Sequence, residues 1–64
     1  MKEDPLIENL RQTMKEKGLS AQQASRFIEC SPKQVYRWLA YENKPSLIFR
    51  KMINLGIQRI KRLP

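Results

Sequence analysis

The sequence predicts an all-α fold, a compact bundle of four to five helices forming one domain over residues 1–64. Three observations predict it. Apolar residues recur at helical spacing, first as Leu6, Ile7, Leu10 and Met14. Helix boundary residues flank that stripe, with Asp4-Pro5 before it and Gly18 after it. The form S-x-x-Q occurs twice, at Ser20–Gln23 and Ser31–Gln34. It is the signature of a capping box, in which the Ser oxygen accepts a backbone N–H of the first turn and the Gln reaches back to the Ser N–H.

The first helix opens with Asp4 as N-cap and Pro5 at its first position, where proline's missing N–H costs nothing. Gly18 stops it, and Lys15 and Lys17 suit the negative end of its dipole. This helix reads as scaffold, with Glu8, Arg11 and Lys15 on a solvated face. A second helix runs from Ser20 to about Ile28 and buries Ala24, Phe27 and Ile28. A third runs from Pro32 to about Tyr41. Leu19 with Ala24, and Cys30 with Val35, have the spacing of hydrophobic staples. Glu29 and Cys30 are left in the turn. Two capped helices joined so closely make a helix-turn-helix over about 20–41. Ala24, Ile28, Cys30, Val35 and Trp38 would meet inside it. Ser31, Pro32, Lys33, Gln34, Tyr36, Arg37 and Ala40 would point away, a polar and cationic set of the kind a recognition helix presents.

The run A-S-R-F-I-E-C-S-P-K-Q-V-Y-R-W, Ala24 to Trp38, resembles the helix-turn-helix of lambda-repressor/Cro-like transcriptional regulators. Asn43-Lys44-Pro45-Ser46-Leu47 is similar to that family's entry into its fourth helix. The likeness covers about Leu6 to Ile53. It implies a lambda-repressor-like fold and sequence-specific DNA binding. The family has Gly in the turn where this chain has Glu29. A left-handed residue there costs a non-glycine about 1 kcal/mol or more, which predicts a longer or differently shaped turn.

Ser46 caps the last helix, an apolar and basic segment over about 46–63. Leu47, Ile48, Phe49, Met52, Ile53, Leu55, Ile57, Ile60 and Leu63 are more apolar residues than one face needs. Gly56 ends this helix, kinks it, or allows a close helix contact. Leu55, Ile57, Ile60 and Leu63 are the candidate dimer surface, with Arg59, Lys61 and Arg62 as a basic tail beside it.

Charge is distributed unevenly. Before Ser31, cations and carboxylates cancel. From Ser31 onward Lys33, Arg37, Lys44, Arg50, Lys51, Arg59, Lys61 and Arg62 face Glu42 alone, so this part carries the entire net charge of +7. A polyanionic partner is the implication. The lone Cys30 and the lack of His exclude an internal disulfide and a Cys/His zinc cluster. Cys30 reads as a small buried hydrophobe.

The expected function is sequence-specific binding of double-stranded DNA by a small transcriptional regulator, with helix 32–41 in the major groove. Lys33, Gln34, Tyr36 and Arg37 are the candidate base contacts. Lys and Arg match guanine O6 and N7, and Gln matches adenine. Gln34 has a second role open to it as a cap, and Tyr36 a second as a surface packer. Gln22, Ser31, Asn43 and Lys44 are the candidate phosphate contacts. Two alternatives stand beside this reading. One is an excisionase-like or transposase-associated architectural DNA-binding domain. The other is a protein-interaction module using the apolar C-terminal helix. No nucleophile–base pair, paired carboxylates or Gly-rich phosphate loop suggests an enzyme. No cofactor, metal, membrane segment, secretory signal or small-molecule pocket is expected. The expected location is the cytoplasm, associated with the nucleoid if the source is bacterial or phage.

Overall fold

A computed structural model describes residues 3–64; the first two residues of the expected domain lie outside it. The helices are α1 (Pro5–Lys17), α2 (Ala21–Ile28), α3 (Pro32–Leu39) and α4 (Leu47–Lys61), and no strand occurs among the described residues. The radius of gyration is 10.6 Å, close to the value of about 11 Å for a compact chain of this length. None of these helices is long and apolar enough to cross a membrane.

Each helix begins at the expected cap. The Asp4 side chain accepts from the Leu6 N–H at 3.0 Å. Ser20 and Gln23 close a full capping box, at 3.2 Å and 2.9 Å. Ser31 Oγ accepts from the Gln34 N–H, and Ser46 Oγ from the Phe49 N–H, both at 3.3 Å.

The first three helices stop in one manner. A single left-handed residue turns the chain: Gly18 (φ 66°), Glu29 (φ 66°) and Tyr41 (φ 60°). After α1, the Gly18 and Leu19 N–H groups return to the carbonyls of Lys15 and Met14. After α3, those of Tyr41 and Glu42 return to Trp38 and Arg37 in the same pattern. α3 therefore ends at Leu39, two residues before the expected limit.

The longer turn expected from Glu29 does not occur. Glu29 adopts the left-handed conformation itself, and only Glu29, Cys30 and Ser31 separate α2 from α3.

α4 packs along both α1 and α2, and α3 packs chiefly on α2. The core comprises Ile7, Leu10, Met14, Ala21, Ala24, Ile28, Val35, Trp38, Ile53, Ile57 and Ile60. Phe27 and Cys30, expected inside, are half-buried at its edge. Trp38 is fully buried, and Phe49 meets its ring edge-on at 5.2 Å.

Gly56 lies in mid-helix and neither ends nor kinks α4. A Cβ there would stand 2.6 Å from Ile28 Cγ1 and 3.2 Å from the Phe27 carbonyl oxygen. This is the close helix contact among its three expected roles. The candidate dimer surface requires correction. Ile57 and Ile60 lie in the core, Leu63 is half-buried against it, and only Leu55 is exposed. Because α4 continues through Gly56, Ile53, Gly56, Ile57 and Ile60 share one face, and that face points inward.

Candidate nucleic-acid interface

α3 is short, and its fixing begins at Ser31. Ser31 has extended backbone (φ −77°, ψ 150°), and Pro32 occupies the first helical position. At about 100° per residue, Val35 and Trp38 fall on one side, and both are fully buried. Lys33, Tyr36, Arg37 and Ala40 share an arc of about 100° on the opposite side, and all four are exposed. Tyr36 is 60% exposed. Burying Val35 and Trp38 therefore dictates which side chains face outward.

Gln34 lies at the margin of this arc and is half-buried. Its side chain does not return to Ser31, so the second capping box is only half formed. Its Nε2 instead donates to Asn43 Oδ1 at 3.5 Å. One candidate base contact and one candidate phosphate contact are thus brought together. Ser31 uses its hydroxyl as a cap. Gln22 is exposed in the first turn of α2, where its carbonyl accepts from Ser25 Oγ at 2.7 Å. No hydrogen bond among the described residues joins it to the α3 set.

The loop after α3 is tied to the start of α1, which is tied in turn to α4. The Tyr41 hydroxyl donates to Glu8 Oε2 at 2.5 Å and accepts from the Asp4 N–H at 3.1 Å. Arg50 on α4 donates twice to the Asp4 carboxylate, at 2.7 Å and 3.1 Å. The Arg50 hydrogen bonds chiefly hold the Asp4 carboxyl below its ordinary pKa. The Tyr41 hydroxyl does the same for Glu8, aided by Arg11. The Tyr41 phenol is pushed up in return by the bond to Glu8. Pro45 is buried, whereas Asn43 and Lys44 remain exposed.

Arg11, expected on a solvated face, donates to the Leu39 carbonyl at 2.6 Å and so closes the end of α3. Sequence reasoning missed this, and it missed the roles of Tyr41 and Arg50. It also missed a cleft of about 280 Å³ between the start of α1 and the loop, lined in part by Asp4, Tyr41, Lys44 and Arg50.

Structural pairing removes some of the basic charge. Arg50 is paired with Asp4, and Arg59 with Glu29 at 3.1 Å. Lys33, Arg37 and Lys44 form no ion pair among the described residues. The unneutralised cations therefore include those on the outer face of α3 and its following loop. Cys30 is half-buried, and burial raises its thiol pKa; a protonated thiol is a poor nucleophile. No family model matches the chain, and no curated protein or solved structure matches it significantly.

Proposed function

We propose that this chain is a small, sequence-specific regulator that binds double-stranded DNA through a helix-turn-helix of the lambda-repressor/Cro-like kind. One observation carries the reading. The outward arc of α3 bears Lys33, Tyr36 and Arg37, with Gln34 at its edge, on a helix whose opposite side is locked into the core by Val35 and Trp38. A major groove about 12 Å wide admits such a helix, and Arg, Lys and Gln are the side chains that read guanine and adenine there. Asn43, Lys44 and Gln22 would hold phosphates beside the groove, fixing the docking position without reading sequence. Ser31 would contribute through the backbone N–H groups of the helix start it caps.

The test is anisotropy of labelled duplexes across a salt series, followed by selection and sequencing of the bound fragments. The expected result is binding that weakens steeply with salt and a short enriched motif, both diminished in the Lys33→Ala/Arg37→Ala variant. Salt-sensitive binding without a motif would replace this reading with the architectural one. No binding near physiological salt would exclude both, since non-specific binders alone reach a Kd of about 10⁻⁴–10⁻⁶ M.

A further inference from the structure

α4 has a second face that the fold leaves uncovered. Its inner side carries Ile53, Gly56, Ile57 and Ile60, all buried. At about 100° per residue, Leu47, Ile48, Lys51 and Leu55 fall together on the opposite side. Leu47 is 75% exposed, Ile48 71% and Leu55 50%. The other large exposed hydrophobics, Tyr36 and Tyr41, carry hydroxyl groups. Among the described residues, the large exposed aliphatic side chains are thus concentrated on one row rather than scattered. Leu47, Lys51 and Leu55 follow one another at four-residue intervals, and Ile48 lies three before Lys51, so they are neighbours on the helix surface. Contiguous apolar surface of this kind marks interaction sites.

The charge in the row selects the occupant. Lys51, exposed like its neighbours, stands between Leu47 and Leu55 in sequence and is the one charged residue of these four. No carboxylate side chain follows Glu42 in the sequence, whereas Lys44 lies just before the row. A second copy docked symmetrically would set Lys51 near Lys51 and press two chains of net charge +7 together. A bilayer would receive only three aliphatic side chains, without the Trp or Phe that anchor interfacial helices. A protein helix with Leu or Ile on one face and Asp or Glu beside them fits both features. Its apolar side chains would cover Leu47, Ile48 and Leu55 while a carboxylate met Lys51.

We propose that the outer face of α4 docks an acidic amphipathic helix of a partner protein. The proposal does not depend on DNA binding, because the α3 arc contributes nothing to this row.

The experiment displays a library of helix-length peptides with randomised faces, selects it on the full chain, and measures Kd for the enriched peptides. The expected peptides are amphipathic and rich in Asp and Glu. They bind at least about tenfold more weakly to Leu47→Ala/Ile48→Ala and to Lys51→Glu, and equally well to Lys33→Ala/Arg37→Ala. These positions are exposed, so the variants should keep the wild-type circular dichroism and Tm; a variant that loses them is replaced by Leu55→Gln. The proposal is overturned if no peptide is enriched, if those enriched lack acidic residues, or if the α4 variants bind them as well as wild type. Sedimentation and vesicle flotation address the other occupants. A dimer dissolved by Leu47→Ala/Ile48→Ala would assign the face to a second copy. Binding to phosphatidylserine vesicles lost in the same variant would assign it to a membrane. Either outcome overturns the proposal.

Discussion

Arg59 reaches from α4 to the turn after α2, where its Nη1 lies 3.1 Å from both the Glu29 carboxylate and the Phe27 carbonyl oxygen. Among the described residues, two non-glycine residues lie in the left-handed region, Glu29 and Tyr41. Each costs about 1–2 kcal/mol of backbone strain, and each has its side chain anchored to a distant helix. Glu29 is held by Arg59, and Tyr41 by Glu8 and the Asp4 N–H. Local strain at the C-terminal ends of α2 and α3 is thus coupled to tertiary contacts.

The first prediction concerns that strain. Glu29→Gly removes the conformational cost and also an exposed ion pair that contributes about 0.2–1 kcal/mol. The strain outweighs the ion pair, so Glu29→Gly should raise stability by about 0.5–1 kcal/mol. Glu29→Ala retains the strain and loses the pair, so it should lower stability. Urea unfolding midpoints of the two variants should move in opposite directions from wild type.

Gly56 provides the second. Gly→Ala inside a helix favours folding by about 1 kcal/mol through propensity, but the added methyl would stand 2.6 Å from Ile28 Cγ1 and 3.3 Å from Ile28 Cα. The first of these atoms is near the root of a buried side chain and the second is backbone, so neither yields easily. Overpacking costs about 1–3 kcal/mol, and Gly56→Ala should be destabilising on balance. Ile28→Ala removes Cγ1. In a double-mutant cycle, Gly56→Ala should therefore cost less in the Ile28→Ala background, with a coupling of at least about 0.5 kcal/mol. Additive losses would mean that the close approach carries no strain.

These cases show what was legible in the sequence. Caps and stops are local: Asp4, Gly18, Ser20, Ser31 and Ser46 each bond within a few residues, and each lies where the pattern placed it. The outward set on α3 was legible because Val35 and Trp38 announce the inward side. The clasp around the candidate interface was not. Asp4 meets Arg50 across 46 residues, and Tyr41 meets Glu8 across 33, and nothing in the spacing of these residues links them. Ile57 and Ile60 were misplaced for another reason. Gly56 was open to ending or kinking the helix as well as to a close contact, and the inward face of α4 emerges only when the helix continues through it.

The clasp gives the third prediction, in pH dependence. Asp4 and Glu8 both titrate below their ordinary values in the folded chain. A depressed carboxylate contributes stability above its unfolded pKa of about 4 and loses it as pH falls through the folded value. Tyr41 is raised, so its contribution is complete below an unfolded pKa of about 10 and disappears as pH climbs through the folded value. Stability should therefore fall on both the acid and the alkaline side. Tyr41→Phe should flatten the alkaline loss and lessen the acid one, whereas Asp4→Asn should lessen only the acid loss. Urea titrations at a series of pH values distinguish the two variants.

The fourth prediction separates reading from holding on DNA. Arg37→Ala or Lys33→Ala should cost about 1–3 kcal/mol on the selected site and relax the base preference at one position. Lys44→Ala should instead weaken binding to all sequences alike and reduce the log Kd–log salt slope by about 1. Asn43→Ala is the more discriminating variant. If Asn43 acts only on a phosphate, it should behave as a weaker Lys44→Ala, with the motif unchanged. Its side-chain oxygen also lies 3.5 Å from Gln34 Nε2. Releasing that amide frees the Gln34 rotamer, and an orientation held in advance would be worth affinity at the one base Gln34 is proposed to read. Asn43→Ala should therefore blur the motif at the same position as Gln34→Ala, and the two losses should be less than additive. Independent losses, or a motif unchanged in Asn43→Ala, would confine Asn43 to the backbone.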